Sequence, residues 1–192
     1  MHYEAIVIGV SAGGLKALGT ILPYLPADFS LGVIVVQHLH PSAEDALARR
    51  LDKSCELTVK LADEKESIAP GVIYIAPPDY HLMVEEERIF SLSLDEHVKY
   101  ARPSIDVLFE TAADAYGSTL VGIVLTGANT DGSHGLKRIK ESGGLTVVQD
   151  PATAEIETMP RAAIAATKVD HILPLEDIGP FLVGLAELPK VS

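Results

Sequence analysis

Three side chains that together can make a hydroxyl nucleophilic stand where strands would end. They are Ser11 in GVSAGG (9–14), His38 in VVQHLHP (35–41) and Asp131 in VLTGANTDGSHG (124–135). A serine needs an adjacent base to attack at neutral pH, and a histidine base needs a carboxylate to fix its tautomer and stabilise its cation. Gly9-x-Ser11-x-Gly13 has the form of a nucleophile elbow, the strained strand-to-helix turn that lifts a serine out of a sheet. A helix opening near Gly13 would aim its free N–H groups at the place of a tetrahedral oxyanion, with the Ala12 amide as first donor. Two other readings stay open. Gly9, Ser11 and Gly14 make an incomplete G-x-G-x-x-G, but Ser11 replaces the glycine that lets the backbone approach a pyrophosphate, and the second strand ends in Gln37-His38 instead of an acidic ribose ligand. The segment can also be a glycine-rich turn without chemistry.

The order Ser, His, Asp departs from the Ser, Asp, His order of α/β-hydrolases, so the elbow does not import that fold. Asp150, with Glu155 across the same loop, rivals Asp131 for the carboxylate role. Asp131 is preferred because TDG follows a strand end and opens a helix, whereas Asp150 precedes Pro151 in an extended turn. His38, His40 and nearby His134 could supply metal nitrogens. Pro41, however, implies that the strand has ended before His40, so the first two histidines need not share a face. No metal or other cofactor is expected, with His40 a rim or loop residue and His134 a surface helix position. Arg102, before Pro103, could meet a substrate carboxylate across the cleft or form an ordinary ion pair. The single cysteine, Cys55, excludes a disulfide framework and reads as a structural thiol.

Short Val/Ile-rich runs alternate with longer helical patterns, as in a parallel sheet covered by helices on both faces. Strands are expected at 5–9, 31–37, 57–62, 71–77, 119–127, 145–149 and 171–174, and helices at 14–22, 42–53, 104–116, 132–142, 159–166 and 175–186. Residues 81–93 read as a hairpin at a sheet edge, and AELPKVS (186–192) as a loose tail. The expected fold is α/β: a three-layer, doubly wound, mostly parallel sheet of about seven strands with an edge hairpin, forming one domain over 1–192. In such a sheet ligands gather beyond the carboxyl ends of the strands, where Ser11, His38 and Asp131 all fall. With 47% hydrophobic residues the chain can bury a substantial core. Its 27 acidic against 15 basic residues, a formal charge of -12, and its lack of a basic cluster argue against nucleic acid and anionic membrane as partners. No apolar run reaches the roughly 20 residues of a membrane span, and MHYEAIVIGV lacks the marks of a signal peptide, so a cytoplasmic protein is expected.

Five blocks, IVIGVSAGG, VVQHLHP, ARPSIDVLFETAA, VLTGANTDGSHGL and VVQDPATAEIETMPRAAI, resemble in content and order the catalytic domain of the CheB family of chemotaxis protein-glutamate methylesterases. The resemblance implies hydrolysis of γ-glutamyl methyl esters on chemoreceptor cytoplasmic helices, or on a related signalling protein, with deamidation of glutamines in some members. It makes Ser11 the nucleophile, His38 the general base and Asp131 its orienting carboxylate. The second oxyanion donor, the backbone of a methionine in an L-T-G-M-G block, falls at Ala128, and the threonine usual after the serine is Ala12. Both changes spare the backbone N–H. They keep open an alternative, a non-catalytic or weakly catalytic chemosensory module of the same fold. Regulated members carry a receiver domain ahead of the catalytic domain, whereas here the first strand starts near residue 3. Control is therefore expected from a fused or separate regulatory domain, with the chain itself active without a phosphodonor.

Overall fold

AIVIGV (β1, Ala5–Val10) and GVIVVQ (β2, Gly32–Gln37) are buried at every position. Central strands of a parallel sheet lie between two helical layers and leave no residue to face water. The computed structural model describes residues 2–38 and 46–187. After β1 come α1 (Gly14–Ile21), β2, α2 (Ala46–Asp52), β3 (Thr58–Leu61), β4 (Val72–Ile75), β5 (His81–Val84), β6 (Phe90–Ser93) and α3 (Ile105–Tyr116). They are followed by β7 (Leu120–Val124), α4 (Ser133–Glu141), β8 (Leu145–Gln149), α5 (Thr158–Ala166), β9 (His171–Leu173) and α6 (Leu175–Ala186). Seven strands pair in parallel in the order β3-β4-β2-β1-β7-β8-β9. The chain winds outward from β1 on one side through β2 and then returns to build the other side from β7. This reversal opens a crevice beside β1 at the carboxyl edge.

Alternate strand residues feed two cores. Ile6, Ile8 and Val10 of β1 meet Leu18 and Ile21 of α1, Leu51 of α2 and Ile178 of α6. Ala5 and Val7 belong to the opposite layer with Leu108 and Phe109 of α3, Leu136 of α4 and Met159 of α5. Each fully buried Leu, Ile, Val or Phe contributes about 1.5–3 kcal/mol through removal of apolar surface from water.

The expected strands and helices are present, with differences of physical origin. The hairpin β5-β6 is a separate antiparallel sheet rather than an extension of the main one. Leu82, Val84 and Phe90 join the α3 layer, and the Phe90 ring stands edge-on to Tyr74 of β4 at 4.9 Å. Strand β7 ends at Val124, three residues early. The Leu125 amide still bonds Gly9 O of β1, but those of Thr126 and Gly127 turn to Gln149 Oε1 and Ile156 O, which draws the chain out of the ladder. Short 3₁₀ turns at Leu22–Tyr24, Gly117–Thr119 and Pro151–Thr153 follow no pattern read from the sequence. The expected helix start at 42–45, His40 and tail residues 188–192 lie outside the described residues.

The crossing of α3 and α4 depends on Gly135. A Cβ there would stand 2.4 Å from Phe109 Cβ and 3.1 Å from the Asp106 carbonyl oxygen. Gly135→Ala is therefore expected to destabilise the fold by about 1–3 kcal/mol despite its better helix propensity, read as a melting temperature lower by roughly 3–8 °C. Gly19→Ala, at an exposed α1 position with nothing within 4 Å of the new methyl, should instead raise it.

Candidate active site

Three neighbouring strands deliver the candidate residues to one edge: β1 leads to Ser11, β2 to His38, and β7 to Asp131 through a short loop. The Ser11 backbone is fixed on three sides. Its N–H donates to Thr126 O at 3.0 Å, and its carbonyl accepts from Gly14 N at 2.9 Å and Gln37 Nε2 at 2.8 Å. The left-handed residue of this turn is Gly13 (φ 81), not the serine. Ser11 is absent from the described side-chain-bearing residues with positive φ, so the strain expected of a nucleophile elbow is not stored in the serine. Gly14 lets the helix start close on β2, since a Cβ there would meet Gln37 Oε1 at 1.7 Å.

Asp131 is 1% exposed, yet its two oxygens accept five bonds. Oδ2 receives His38 Nε2–H at 2.8 Å and Ile105 N–H at 2.7 Å. Oδ1 receives Ser104 Oγ–H at 3.0 Å, Asp106 N–H at 3.0 Å and Gly132 N–H at 3.1 Å. The carboxylate thus sits on the open amides at the start of α3, where the helix dipole favours a negative charge. Burial alone would push its pKa up. The bonds from His38, Asp106 and Ile105 and the attraction of His38 outweigh burial and hold the carboxyl below the ordinary aspartate value.

Behind this contact lies a second layer of bonds. Ser104, the N-cap of α3, also accepts from Val107 N, and its own N–H donates to Nδ1 of His81, a buried histidine whose Nε2 donates to Glu96 O. Asn129 Oδ1 accepts the Asp131 N–H at 3.0 Å, and Asn129 Nδ2 lies 3.3 Å from His38 Nδ1. Asn129 lies inside the VLTGANTDGSHG block but drew no role from it, and the strut from His81 carried no motif in the sequence. Ser104 announced itself only as a helix start.

Ser11 and His38 line two adjoining parts of one cleft. One part is bounded by His97, Lys99, Tyr100, Arg102 and Asn129, the other by Ala12, Leu15, Lys16 and Glu155. The two side chains make no hydrogen bond with each other, a looseness common in unliganded catalytic sites. The amides of Ala12 and Ala128 donate to no protein acceptor among the described residues. Val98 and Ala101 exchange hydrogen bonds of 3.1 and 2.9 Å around Lys99 (φ 47) and Tyr100 (φ 66), a two-residue turn of a kind that normally takes Asn-Gly. Left-handed backbone at these two residues costs on the order of 1–2 kcal/mol each. The turn is held where Lys99 Nζ meets Asp106 Oδ2 at 2.8 Å and Thr130 O at 3.2 Å, and Tyr100 is 100% exposed on the rim.

The other candidates fall elsewhere. Asp150 caps the 151–153 turn by accepting from Ala152 N at 2.9 Å, so Asp131 alone of the two meets His38. Glu155 is an exposed wall of the cleft. Arg102 lines the cleft, but its guanidinium donates to Leu94 O, Asp95 O and Asp79 Oδ1, the ion-pair arrangement. His134 borders a groove with Glu110 and Asp114, away from His38, and no three His, Cys, Asp or Glu residues among those described are grouped to hold a metal. Burial pushes the Cys55 thiol pKa up, which disfavours the reactive thiolate. No helix among the described residues is long and apolar enough to cross a membrane.

Residues 6–182 match the family model described as CheB methylesterase. A Leptospira interrogans protein (serovar copenhageni), provisionally named a protein-glutamate methylesterase/protein-glutamine glutaminase, is 55% identical over 185 residues, covering 96% of both chains. The protein-glutamate methylesterase/protein-glutamine glutaminase of Thermotoga maritima is 37% identical over 95% of this chain, which spans 54% of that relative. The crystal structure of the Thermotoga maritima CheB methylesterase catalytic domain superposes with a TM-score of 0.92 at 36% identity, covering 96% of this chain and 100% of that one.

Because the folded Asp131 carboxyl titrates below its unfolded counterpart, the unfolded chain takes up the proton first as acid is added. The stability Asp131 contributes is complete above about pH 4 and disappears as pH falls through the lower folded value. Asp131→Asn, which turns a donor toward donors, should cost about 2–4 kcal/mol at neutral pH. In denaturant unfolding the gap between the two proteins should narrow below about pH 4.

Proposed function

The chain belongs to the CheB methylesterase family, and on that premise we propose that it hydrolyses γ-glutamyl methyl esters on the cytoplasmic segments of a chemoreceptor or related signalling protein. Residues 1–192 would act as one catalytic domain in the cytoplasm, under control of a separate or fused regulatory domain. The observation that carries this reading is the 2.8 Å contact between His38 Nε2 and a buried, fully bonded Asp131, one strand away from a serine whose hydroxyl has no partner among the described residues.

Because Nε2–H faces the carboxylate, the basic lone pair of His38 is on Nδ1. Ser11 Oγ attacks the ester carbonyl and its proton passes to Nδ1. The resulting oxyanion meets the free amides of Ala12 and Ala128, and Asp131 stabilises the imidazolium. The intermediate collapses, and the departing methoxide takes the proton from Nδ1 and leaves as methanol. Water then gives a proton to Nδ1 and its hydroxide to the acyl group. Ser11 recovers the proton, and a glutamate side chain is released. Replacement of the methionine and threonine side chains by Ala128 and Ala12 leaves these steps intact, because both donors are backbone groups. A glutamine side chain can follow the same route with ammonia leaving, in keeping with the glutaminase part of the relatives' names. The exposed Tyr100 ring, held on a strained turn at the rim, offers a protein substrate an apolar contact outside the reacting centre.

With methylated receptor as substrate, Ser11→Ala and His38→Ala should each lower methanol release by at least about 10³-fold, and the double variant should lose little more. A chelator should leave the rate unchanged. Full methanol release by Ser11→Ala, or a rate lost to chelator and restored by zinc, would overturn the serine mechanism. Tyr100→Ala should raise KM about three- to tenfold with kcat held, as expected for a contact made equally in ground and transition states.

A further inference from the structure

Among the described residues Asn129 is the one besides Asp131 that bonds the His38 ring, and the family reading leaves it without a role. Its amide orientation is set by the network: Oδ1 accepts the backbone N–H of Asp131, so the group facing His38 Nδ1 at 3.3 Å is the Nδ2 donor. His38 Nε2–H is committed to Asp131, which leaves Nδ1 as the acceptor of that amide. The lone pair that the proposed reaction requires is therefore occupied in the free enzyme, and among the described residues Ser11 Oγ has no hydrogen-bond partner.

Resting on the assignment of Ser11 and His38 above, we infer that Asn129 is a latch on the base: its side-chain amide holds His38 in the Nε2–H tautomer, keeps Nδ1 turned to the cleft, and yields that nitrogen to Ser11 when an acyl substrate enters. Asn129 is a positioning residue, since it acts through His38. The two ends of its amide divide the work. Oδ1 anchors the latch to the loop that carries Asp131, so base and carboxylate move as one unit. Nδ2 competes with the serine hydroxyl for Nδ1 and makes the free site less nucleophilic than the same residues without it. Among the described residues, the other titratable groups around the ring are His97, Lys99, Tyr100 and Arg102 on one side of the cleft and Lys16 and Glu155 on the other. The Lys99 and Arg102 head groups are tied to Asp106 and Asp79.

The test uses the full chain and a small fluorophosphonate, so that no receptor is needed. Ser11 Oγ forms the P–O bond, the P–F bond breaks, fluoride leaves, and the hydroxyl proton passes to Nδ1. On the alkaline plateau Asn129→Ala should label about three- to tenfold faster than wild type, the range set by one released neutral hydrogen bond. Its acid limb should move to higher pH, because a donor that favoured the unprotonated ring is gone. Asn129→Asp keeps the acceptor for Asp131 N–H and replaces the donor with a carboxylate, so its acid limb should move up further, by more than about one pH unit. Imidazole ¹⁵N shifts read the tautomer without any reaction: wild type should show unprotonated Nδ1 with a hydrogen bond that Asn129→Ala loses. A plateau rate and acid limb unchanged in both variants, or an Nδ1–H tautomer in wild type, would overturn the latch. If no protein labels, the nucleophile assignment fails, and the ¹⁵N shifts still decide whether Asn129 holds the ring.

Discussion

One buried carboxylate organises this site. Asp131 has given up water entirely, and an ionised group can do that only where donors replace its hydration. Here the replacements come from three separate segments: the start of α3, the loop after β7, and His38 at the end of β2. Meeting the carboxylate's need for donors therefore fixes the position of α3 and the orientation of the imidazole together. The carboxylate that bonds the imidazole also holds the segments that present it.

The sheet supplies the geometry that local sequence cannot. Ser11 and His38 are 27 positions apart and Asp131 follows 93 positions after His38. They become neighbours because β2, β1 and β7 lie side by side and in register, with Ala5 opposite both Gly32 and Leu120. The chain's reversal at β1 places the gap between outgoing connections there, so the crevice and the reactive groups share an origin. The order Ser, His, Asp is then a consequence of winding order and carries no meaning for the chemistry.

Side-chain amides and hydroxyls lock the rim of this crevice. Gln37 ties the Ser11 and His38 carbonyls, while Gln149 and Thr126 pin the loop after β7 to the Ala12 carbonyl and to Ile156. Buried polar groups that are bonded in this way rigidify the backbone around a site. Among the described residues, the Ala12 and Ala128 amides on this rim have no protein acceptor.

The sequence by itself determined the layers and the order of strands and helices along the chain. Continuous apolar runs such as GVIVVQ can be stable only between two helical faces, and the periodic helices supplied those faces. It also determined which residue types stood at the strand ends, and so brought Ser11, His38 and Asp131 forward as candidates. Only the tertiary structure brought Asp131, and not Asp150, against His38, because a carboxylate's surroundings depend on donors from distant segments, here α3 and the end of β2. It alone assigned Arg102 to an ion pair with Asp79, put the left-handed residue of the turn at Gly13, and placed Asn129 against His38. Periodicity reports burial along one element, whereas a hydrogen bond between distant segments depends on orientation and sub-ångström distance, which no local pattern of residue types encodes.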